Sequence, residues 1–301
     1  MIIYDGNTRA MEIEQRVRSQ VAELYSKGTE IVIAAVLFTE DSGSRLYTRL
    51  KGEAAARSGI SYRVYEFSLS DSIELIQAKI AQLNADKTIT GIIIQKPWRK
   101  TWKKVQTRKV TSKEYTAWWS ALVSKLDIEK DVDGLHPKSL EAVKAGTWKE
   151  QGRVLPATAQ AVITVLDDFA AQTNKSITTY NIFIIGRSDL VGTPLFFELR
   201  RRGVECSLLG RAELQEKIHA GVGLTGADIV VSATGVSGLI TAELIGEGTA
   251  LIDVGEPQPD VDLTTVLTSG KVSFITPVPG GVGPLTIACL LQNAVQLAQQ
   301  K

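Results

Sequence analysis

Residues 181–210, "NIFIIGRSDLVGTPLFFELRRRGVECSLLG", read as strand, glycine-bearing turn, helix, glycine, strand. Gly186 closes the first strand and Gly192 precedes the helix. A tight turn at that place aims backbone N–H groups and the positive end of the helix dipole at a diphosphate. The spacing is not GxGxxG, so the order of elements around the turn carries the reading rather than the glycines alone. "ADIVVSATG" (227–235) and "GTALIDVGE" (248–256) supply two more strands, and "PLTIACLLQNAVQLAQQ" (284–300) a closing helix with Pro284 in its first turn. The second half of the chain is therefore expected to be a Rossmann-like dinucleotide-binding domain. NAD-binding folds usually place Asp or Glu at the end of the next strand, to accept from the ribose 2′-hydroxyl. Here that place reads Leu209-Gly210-Arg211. An acid would repel a 2′-phosphate and Arg can clamp one, with Arg187 adding a second positive group, so NADP is favoured over NAD.

The first half alternates in the same way. "EIVIAAVLF" (30–38) is an apolar, β-rich run, "ISYRVYEF" (60–67) alternates like a strand, and "ITGIIIQ" (89–95) is short and almost wholly apolar. "SIELIQAKIAQLNA" (72–85) places Ile73, Ile76, Ile80 and Leu83 on one helical face. Strand–helix alternation implies α/β architecture with a parallel sheet, whose ligands bind beyond the carboxyl ends of the strands. Gln95 and Pro97 lie just past one such end. The helix in "LYTRLKGEAAARSGI" (46–60) follows another. Its row Leu46, Leu50, Ala54 is expected to face the core, with Tyr47, Lys51 and Ala55 bordering it. Tyr47 and Lys51 then either edge the core, the lysine reaching out to water, or wall a pocket with an aromatic face and a titratable amine.

Composition bounds the rest. The 301 residues suffice for two domains, and 44% hydrophobic with 22% charged residues is ordinary globular composition. A net charge of +1 gives no global field for nucleic acid or membrane. The start, MIIYDGNTRA, has no signal-peptide pattern, and no apolar run is long enough to span a bilayer. Cys206 and Cys289 lie in apolar segments, which suits a reducing cytoplasm. Two histidines and two cysteines, scattered, make no metal site.

Two stretches remain. "KDVDGLHP" (130–137) sets Asp131 and Asp133 two apart before a glycine, and aspartates in turns often cap their own backbone. "ITPVPGGVGPLT" (275–286) packs two prolines and three glycines into residues 279–284 as it runs into a helix. Missing side chains there let a flat ligand approach the backbone.

With these in view the chain resembles the bifunctional methylenetetrahydrofolate dehydrogenase/cyclohydrolases of the bacterial FolD type. The resemblance rests on Ser44-x-x-Tyr47-x-x-x-Lys51, Gln95-x-Pro97, Lys130-Asp-Val-Asp-Gly134, Gly186-Arg-Ser-x-x-Val-Gly192, Ala233-Thr-Gly235, Ile252-Asp-Val-Gly255 and Ile275 through Thr286, in family order along nearly the whole chain. It implies a folate-binding domain at 1–150, onto which the helix at 284–300 packs back. It also implies an NADP-binding domain at 151–283, with a cleft between the two. The implied activity is oxidation of 5,10-methylenetetrahydrofolate by NADP, then hydrolysis to 10-formyltetrahydrofolate, in one-carbon metabolism that feeds purine biosynthesis. By the same resemblance Tyr47 stacks on the folate, Asp133 accepts from the pterin donors, Lys51 transfers protons and Gln95 orients it. Pro97, Gly280 and Gly281 line the substrate. Gly186, Arg187, Ser188, Gly192, Arg211, Thr234, Gly235, Glu256 and Thr286 hold the cofactor. Family members generally act as homodimers on tetrahydrofolates that commonly carry polyglutamate tails.

Some segments depart from the family pattern. "LPATAQA" (155–161) lacks its usual cysteine, second proline and glycine; Lys96 stands where an apolar residue is usual; "GEPQPDVD" (255–262) is a shortened hairpin. The connection from Trp98 to Lys125 is longer than usual, with eight Lys or Arg and no acid between Lys96 and Lys113. A non-catalytic or monofunctional folate/NADP-binding relative is the alternative reading, against which the retained Tyr47, Lys51, Gln95 and Asp133 argue. A shikimate-type dehydrogenase would leave PVPGGVGP unexplained.

Overall fold

The computed structural model describes residues 1–256 and 258–300; Pro257, in the GEPQPDVD segment, lies outside the described residues. In chain order the elements are β1 (Ile2–Ile3), α1 (Gly6–Ser26), β2 (Val32–Phe38), α2 (Ser42–Arg57), β3 (Ser61–Phe67), α3 (Ile73–Ala85), β4 (Gly91–Ile94), α4 (Arg99–Val105), α5 (Ser112–Val123), α6 (Pro137–Ala145), α7 (Ala157–Thr173), β5 (Ile182–Ile185), α8 (Gly192–Arg201), β6 (Cys206–Leu209), α9 (Arg211–His219), β7 (Ile229–Ser232), β8 (Thr249–Asp253), α10 (Leu263–Ser269), β9 (Val272–Ile275) and α11 (Val282–Ala298). They divide into two compact units. One holds residues 12–155 and 290–301, the other 1–11 and 156–289.

In the first unit three parallel strands run in the order β3-β2-β4. Every residue of β2 and β4 is buried, which is why both read as unbroken apolar runs. β3 is an edge strand and mostly accessible, so it keeps an alternating pattern. α3 buries Ile76, Ile80 and Leu83, three of the four residues on its expected apolar face, and starts at the Ser72 cap.

The second unit is a six-stranded parallel sheet ordered β1-β9-β8-β7-β5-β6. The order reverses direction after β5, and such reversal points are where open α/β sheets bind ligands. One face of the sheet packs a core that includes Phe183, Ile185, Val230, Leu251 and Ile275.

The domain boundaries expected from sequence need correcting in two places. β1 pairs with β9, and Tyr4 Oη donates to Asp168 at 2.6 Å, so residues 1–11 belong to the six-stranded unit rather than to 1–150. A two-residue strand carries too little periodicity to reveal its partner. The closing helix likewise begins in the six-stranded unit and passes to the other after Cys289. There Asn293 Nδ2 donates to the carbonyls of Val132 and Leu155, and Gln296 Nε2 to that of Arg153.

Candidate active site

In the three-stranded unit the site is built around α2. Asp41 caps this helix by accepting from Ser44 N at 2.8 Å, and its other oxygen accepts from Trp98 N at 2.7 Å. One buried carboxylate thus ties the start of the helix to the segment following β4. The face α2 buries is Ser44, Thr48, Lys51, Ala54 and Ala55. This corrects the sequence expectation: Leu46 is 43% exposed, and Lys51, at 6%, sits in the middle of the buried row rather than beside it. Lys51 Nζ donates to Gln95 Oε1 at 3.4 Å, a long bond, with Gln95 also buried just past β4. Burial pushes the Lys51 amine below the ordinary lysine range, and Asp133 opposes that shift. Lys51, Gln95 and Asp133 are thereby brought together. Tyr47, half-buried, lies one helical turn before Lys51, and Pro97 is buried two residues beyond Gln95.

Each residue of KDVDG has its own task. Lys130 Nζ donates to the carbonyls of Leu83, Asn84 and Asp86, closing the end of α3. Asp131, fully buried, accepts from Leu135 N, His136 N and Ser139 Oγ, so it is the aspartate that caps its own turn. Val132 fills the space above Gly91, where a Cβ would lie 2.0 Å from Val132 Cγ1. Gly134 takes φ +65°, which turns the chain back. Asp133 is left half-buried, presented by two fixed neighbours.

The insert forms α4 and α5. Trp102 packs against Tyr115 and Trp118 at ring separations of 5.5 and 5.7 Å, Trp118 against Phe38 at 5.3 Å, and Tyr115 Oη donates to Pro97 O at 2.6 Å. Lys96 Nζ lies 5.2 Å from the Trp119 ring centre, which explains a lysine where an apolar residue is usual. The Trp98 side chain is 40% exposed, and the buried Trp102 supplies the ring packing of the segment.

The six-stranded unit carries the other candidates. At the end of β5, Gly186 has φ +112° and a Cβ there would lie 2.4 Å from Ala233 O; a Cβ on Gly192 would lie 1.8 Å from Gly186 O. The turn closes only with glycine at both places. Arg187 and Ser188 are exposed on it, and Ser188 Oγ accepts from Val191 N. α8 starts without a side-chain cap; Thr193 N donates to Ser188 O at 3.0 Å, and Pro194 carries no N–H. At the end of β7, Thr234 is fixed by Asp260, which accepts from its N and Oγ1 and from Ser232 Oγ, and exposed Gly235 follows. Asp253 accepts from the backbone N–H of Gly255, Asp260 and Val261, and so fixes both flanks of the segment that carries Glu256. Gly280 has φ +102°. A Cβ on Gly281 would meet Pro277 O at 2.5 Å, and one on Gly6 would meet Gly281 O at 1.9 Å. Thr286, half-buried, donates to Val282 O in the first turn of α11.

The strand end after β6 needs a correction. Sequence order shows no acid there, yet Glu213 folds back to accept from Gly210 N at 3.0 Å and from Arg187 at 2.7 Å. Arg211 is exposed at the start of α9. The acid is missed because it arrives through a helix cap three residues on. Tyr62, whose hydroxyl oxygen is sealed from solvent, also lies outside the sequence reading.

Among the described residues no group of His, Cys, Asp and Glu could hold a metal ion, and no helix is long and apolar enough to cross a membrane. The sheet order, the glycine turn and the uncapped helix define a dinucleotide-binding α/β unit, joined in one chain to a second α/β unit with a buried lysine site. Residues 4–133 match the tetrahydrofolate dehydrogenase/cyclohydrolase catalytic domain, and residues 156–301 the NAD(P)-binding domain of the same family. The bifunctional protein FolD of Lactobacillus helveticus is 31% identical, covering 99% of this chain and 98% of its own. Bifunctional protein FolD 1 of Saccharopolyspora erythraea is 34% identical over 98% of this chain and 93% of its own. The methylenetetrahydrofolate dehydrogenase-cyclohydrolase of Trypanosoma brucei, solved with NADP cofactor and inhibitor, aligns with TM-score 0.82 and 27% identity over 99% of this chain and 97% of its own. The FolD of Campylobacter jejuni aligns with TM-score 0.81 and 28% identity, covering 98% of each chain. The chain belongs to the tetrahydrofolate dehydrogenase/cyclohydrolase family.

Proposed function

We infer that this protein oxidises 5,10-methylenetetrahydrofolate with NADP and hydrolyses the resulting 5,10-methenyl cation to 10-formyltetrahydrofolate. The observation that carries the hydrolytic half is Lys51, buried and 3.4 Å from Gln95 Oε1, under the influence of Asp133. A non-catalytic relative would have little reason to keep an amine in a place that disfavours its charge.

The dinucleotide fits the six-stranded unit. Gly186 and Gly192 leave no room for side chains in the turn, and α8 begins there without a side-chain cap, so the positive end of its dipole faces a diphosphate held at the turn. Arg187, Ser188, Arg211, Thr234, Gly235, Glu256 and Thr286 complete the proposed cofactor set. Arg211 reads the 2′-phosphate. Glu213 already engages Arg187, which leaves Arg211 the better placed of the two arginines. The bound nicotinamide supplies the hydride acceptor.

On the folate side, Tyr47 stacks on the aromatic part of the substrate and Asp133 accepts from the paired pterin donors. Pro97 accepts a flat surface, and in the six-stranded unit the bare Gly280-Gly281 backbone does the same. Hydrolysis starts with water adding to the methenyl carbon. Neutral Lys51 takes the proton that the attacking water releases and returns it to the ring nitrogen as the C–N bond breaks, while the remaining hydroxyl proton leaves to solvent as the formyl carbonyl forms. The methenyl cation and burial both favour the neutral amine beforehand. Gln95 Oε1 holds Nζ in place while it is protonated.

The substrates carry polyglutamate tails, to which exposed Lys100, Lys104 and Lys109 on the insert offer charge. The protein works as a homodimer through its dinucleotide-binding unit. Its two buried free cysteines suit a reducing cytoplasm. An absorbance assay that follows methenyl formation and decay separately, with NADP and with NAD, tests the reading. Failure to form methenyltetrahydrofolate with either cofactor would overturn it.

A further inference from the structure

Glu213 does more at the end of β6 than close a helix turn. Its Oε2 accepts from Gly210 N at 3.0 Å, the reach-back of a capping residue at the start of α9. Its Oε1 accepts from Arg187 Nη2 at 2.7 Å. Arg187 comes from the glycine turn after β5, and the same Nη2 donates to Leu208 O on β6 at 3.4 Å. A Cβ on Gly210 would lie 2.9 Å from Glu213 Oε2 and 3.3 Å from Arg187 Cδ and Nε. The carboxylate and the arginine side chain therefore both lie over the end of β6, and a glycine at 210 leaves them room.

A glutamine would cap α9 equally well, since its side-chain oxygen accepts the same N–H. What glutamate adds is a negative charge. Dinucleotide-binding α/β sheets bring the adenosine ribose to the end of this strand, where an acid accepts from a 2′-hydroxyl and repels a 2′-phosphate. Glu213 supplies that acid from the next helix instead of from the strand. Each of its oxygens accepts one hydrogen bond here and has capacity for a second.

Two arginines act in the opposite sense. Arg187 and Arg211 are both exposed at this end of the unit, and both would attract a phosphate. Glu213 cancels one of these two positive charges. It also occupies Arg187, so a 2′-phosphate has to share that guanidinium or displace the carboxylate.

We propose that Glu213 is a specificity-determining residue for the cofactor: it accepts from the ribose 2′-hydroxyl of NAD and offsets the arginines that favour the 2′-phosphate of NADP, so that the protein binds both dinucleotides. NAD then serves in place of NADP for the same oxidation. This inference rests on the reading of the six-stranded unit as the cofactor site.

The test is calorimetric titration of the full chain with NADP and with NAD, without folate. NAD should bind the wild-type protein at no more than about a tenfold disadvantage to NADP. Glu213→Gln keeps an acceptor for Gly210 N and removes the charge. It should bind NADP about threefold to tenfold more tightly and NAD about twofold to fivefold more weakly. The NADP gain should shrink as salt is added. The preference for adenosine 2′,5′-bisphosphate over AMP should move in the same direction, because these fragments lack the nicotinamide half. An unchanged NADP-to-NAD ratio in Glu213→Gln would overturn the proposal. Weaker NADP binding would also overturn it, by showing that Glu213 holds Arg187 in place for the phosphate. Glu213→Ala loses the cap as well, and a ratio that shifts in Glu213→Ala but not in Glu213→Gln would reduce Glu213 to a helix cap. The two failures are separable in the wild-type protein. Binding of NADP alone would overturn the role of Glu213 and keep the cofactor reading, whereas binding of neither dinucleotide would overturn the cofactor reading itself.

Discussion

Gly91→Ala adds one methyl group at the first residue of β4, and the added Cβ would lie 2.0 Å from Val132 Cγ1 and 3.3 Å from Val132 Cβ. Gly91 is not among the residues of positive φ, so alanine suits its backbone and should even return about 0.5–1 kcal/mol of strand propensity. The clash must therefore be relieved by moving Val132, and overpacking of this kind costs about 1–3 kcal/mol. Val132→Ala alone removes two buried methyl groups, worth about 0.8 kcal/mol each before the cavity is counted. In the double variant the 2.0 Å contact is gone. Its destabilisation should therefore be smaller than the sum of the two single effects by about 1 kcal/mol or more. All five tryptophans lie in the three-stranded unit, so their fluorescence in a urea titration reads the unfolding of that unit. Because Val132 precedes Asp133, Gly91→Ala should also raise KM for the folate substrate and leave KM for NADP unchanged. Additive stabilities, or a KM for NADP that rises equally, would refute the claim that packing of Val132 on Gly91 positions Asp133.

Gly192→Ala should abolish NADP binding in a fluorescence titration, since its Cβ would lie 1.8 Å from Gly186 O; binding at wild-type affinity would mean the turn has another way to close. Arg211→Ala should lower kcat/KM for NADP by more than for NAD, and equal losses would show that Arg211 does not read the 2′-phosphate. The depressed Lys51 amine has a linkage consequence. Between its folded and its ordinary value the unfolded chain binds more protons, so stability rises with pH through that window. Lys51→Met should therefore melt at a higher temperature than wild type at neutral pH, with the difference shrinking as pH climbs toward the ordinary lysine range. Neutralising Lys100, Lys104 and Lys109 together should raise KM for a pentaglutamate substrate and spare the monoglutamate; each exposed pair is worth only about 0.2–1 kcal/mol, so added salt should erase the difference.

The strands were legible because buried parallel strands are continuous apolar runs, as in "VIAAVLF" of β2 and "GIII" of β4. α2 misled for a physical reason. Hydrophobic periodicity points to Leu46 and Leu50, but the row that α2 buries begins with the polar Ser44, Thr48 and Lys51, which an apolar pattern does not mark. The strand-end acid was invisible because Glu213 returns through a helix cap. Tyr62 gave no signal, since an alternating strand offers no way to tell which residue slips beneath a glycine of the neighbouring helix. β1 was missed because two residues have no period.

The central claim is that one lysine separates the two activities. Lys51→Met should be given 5,10-methylenetetrahydrofolate and NADP while methenyl absorbance is followed through a full time course. The account predicts that methenyltetrahydrofolate forms and then accumulates, its enzymatic hydrolysis slowed by roughly 10² to 10⁴. Decay of the methenyl signal at the wild-type rate would contradict it.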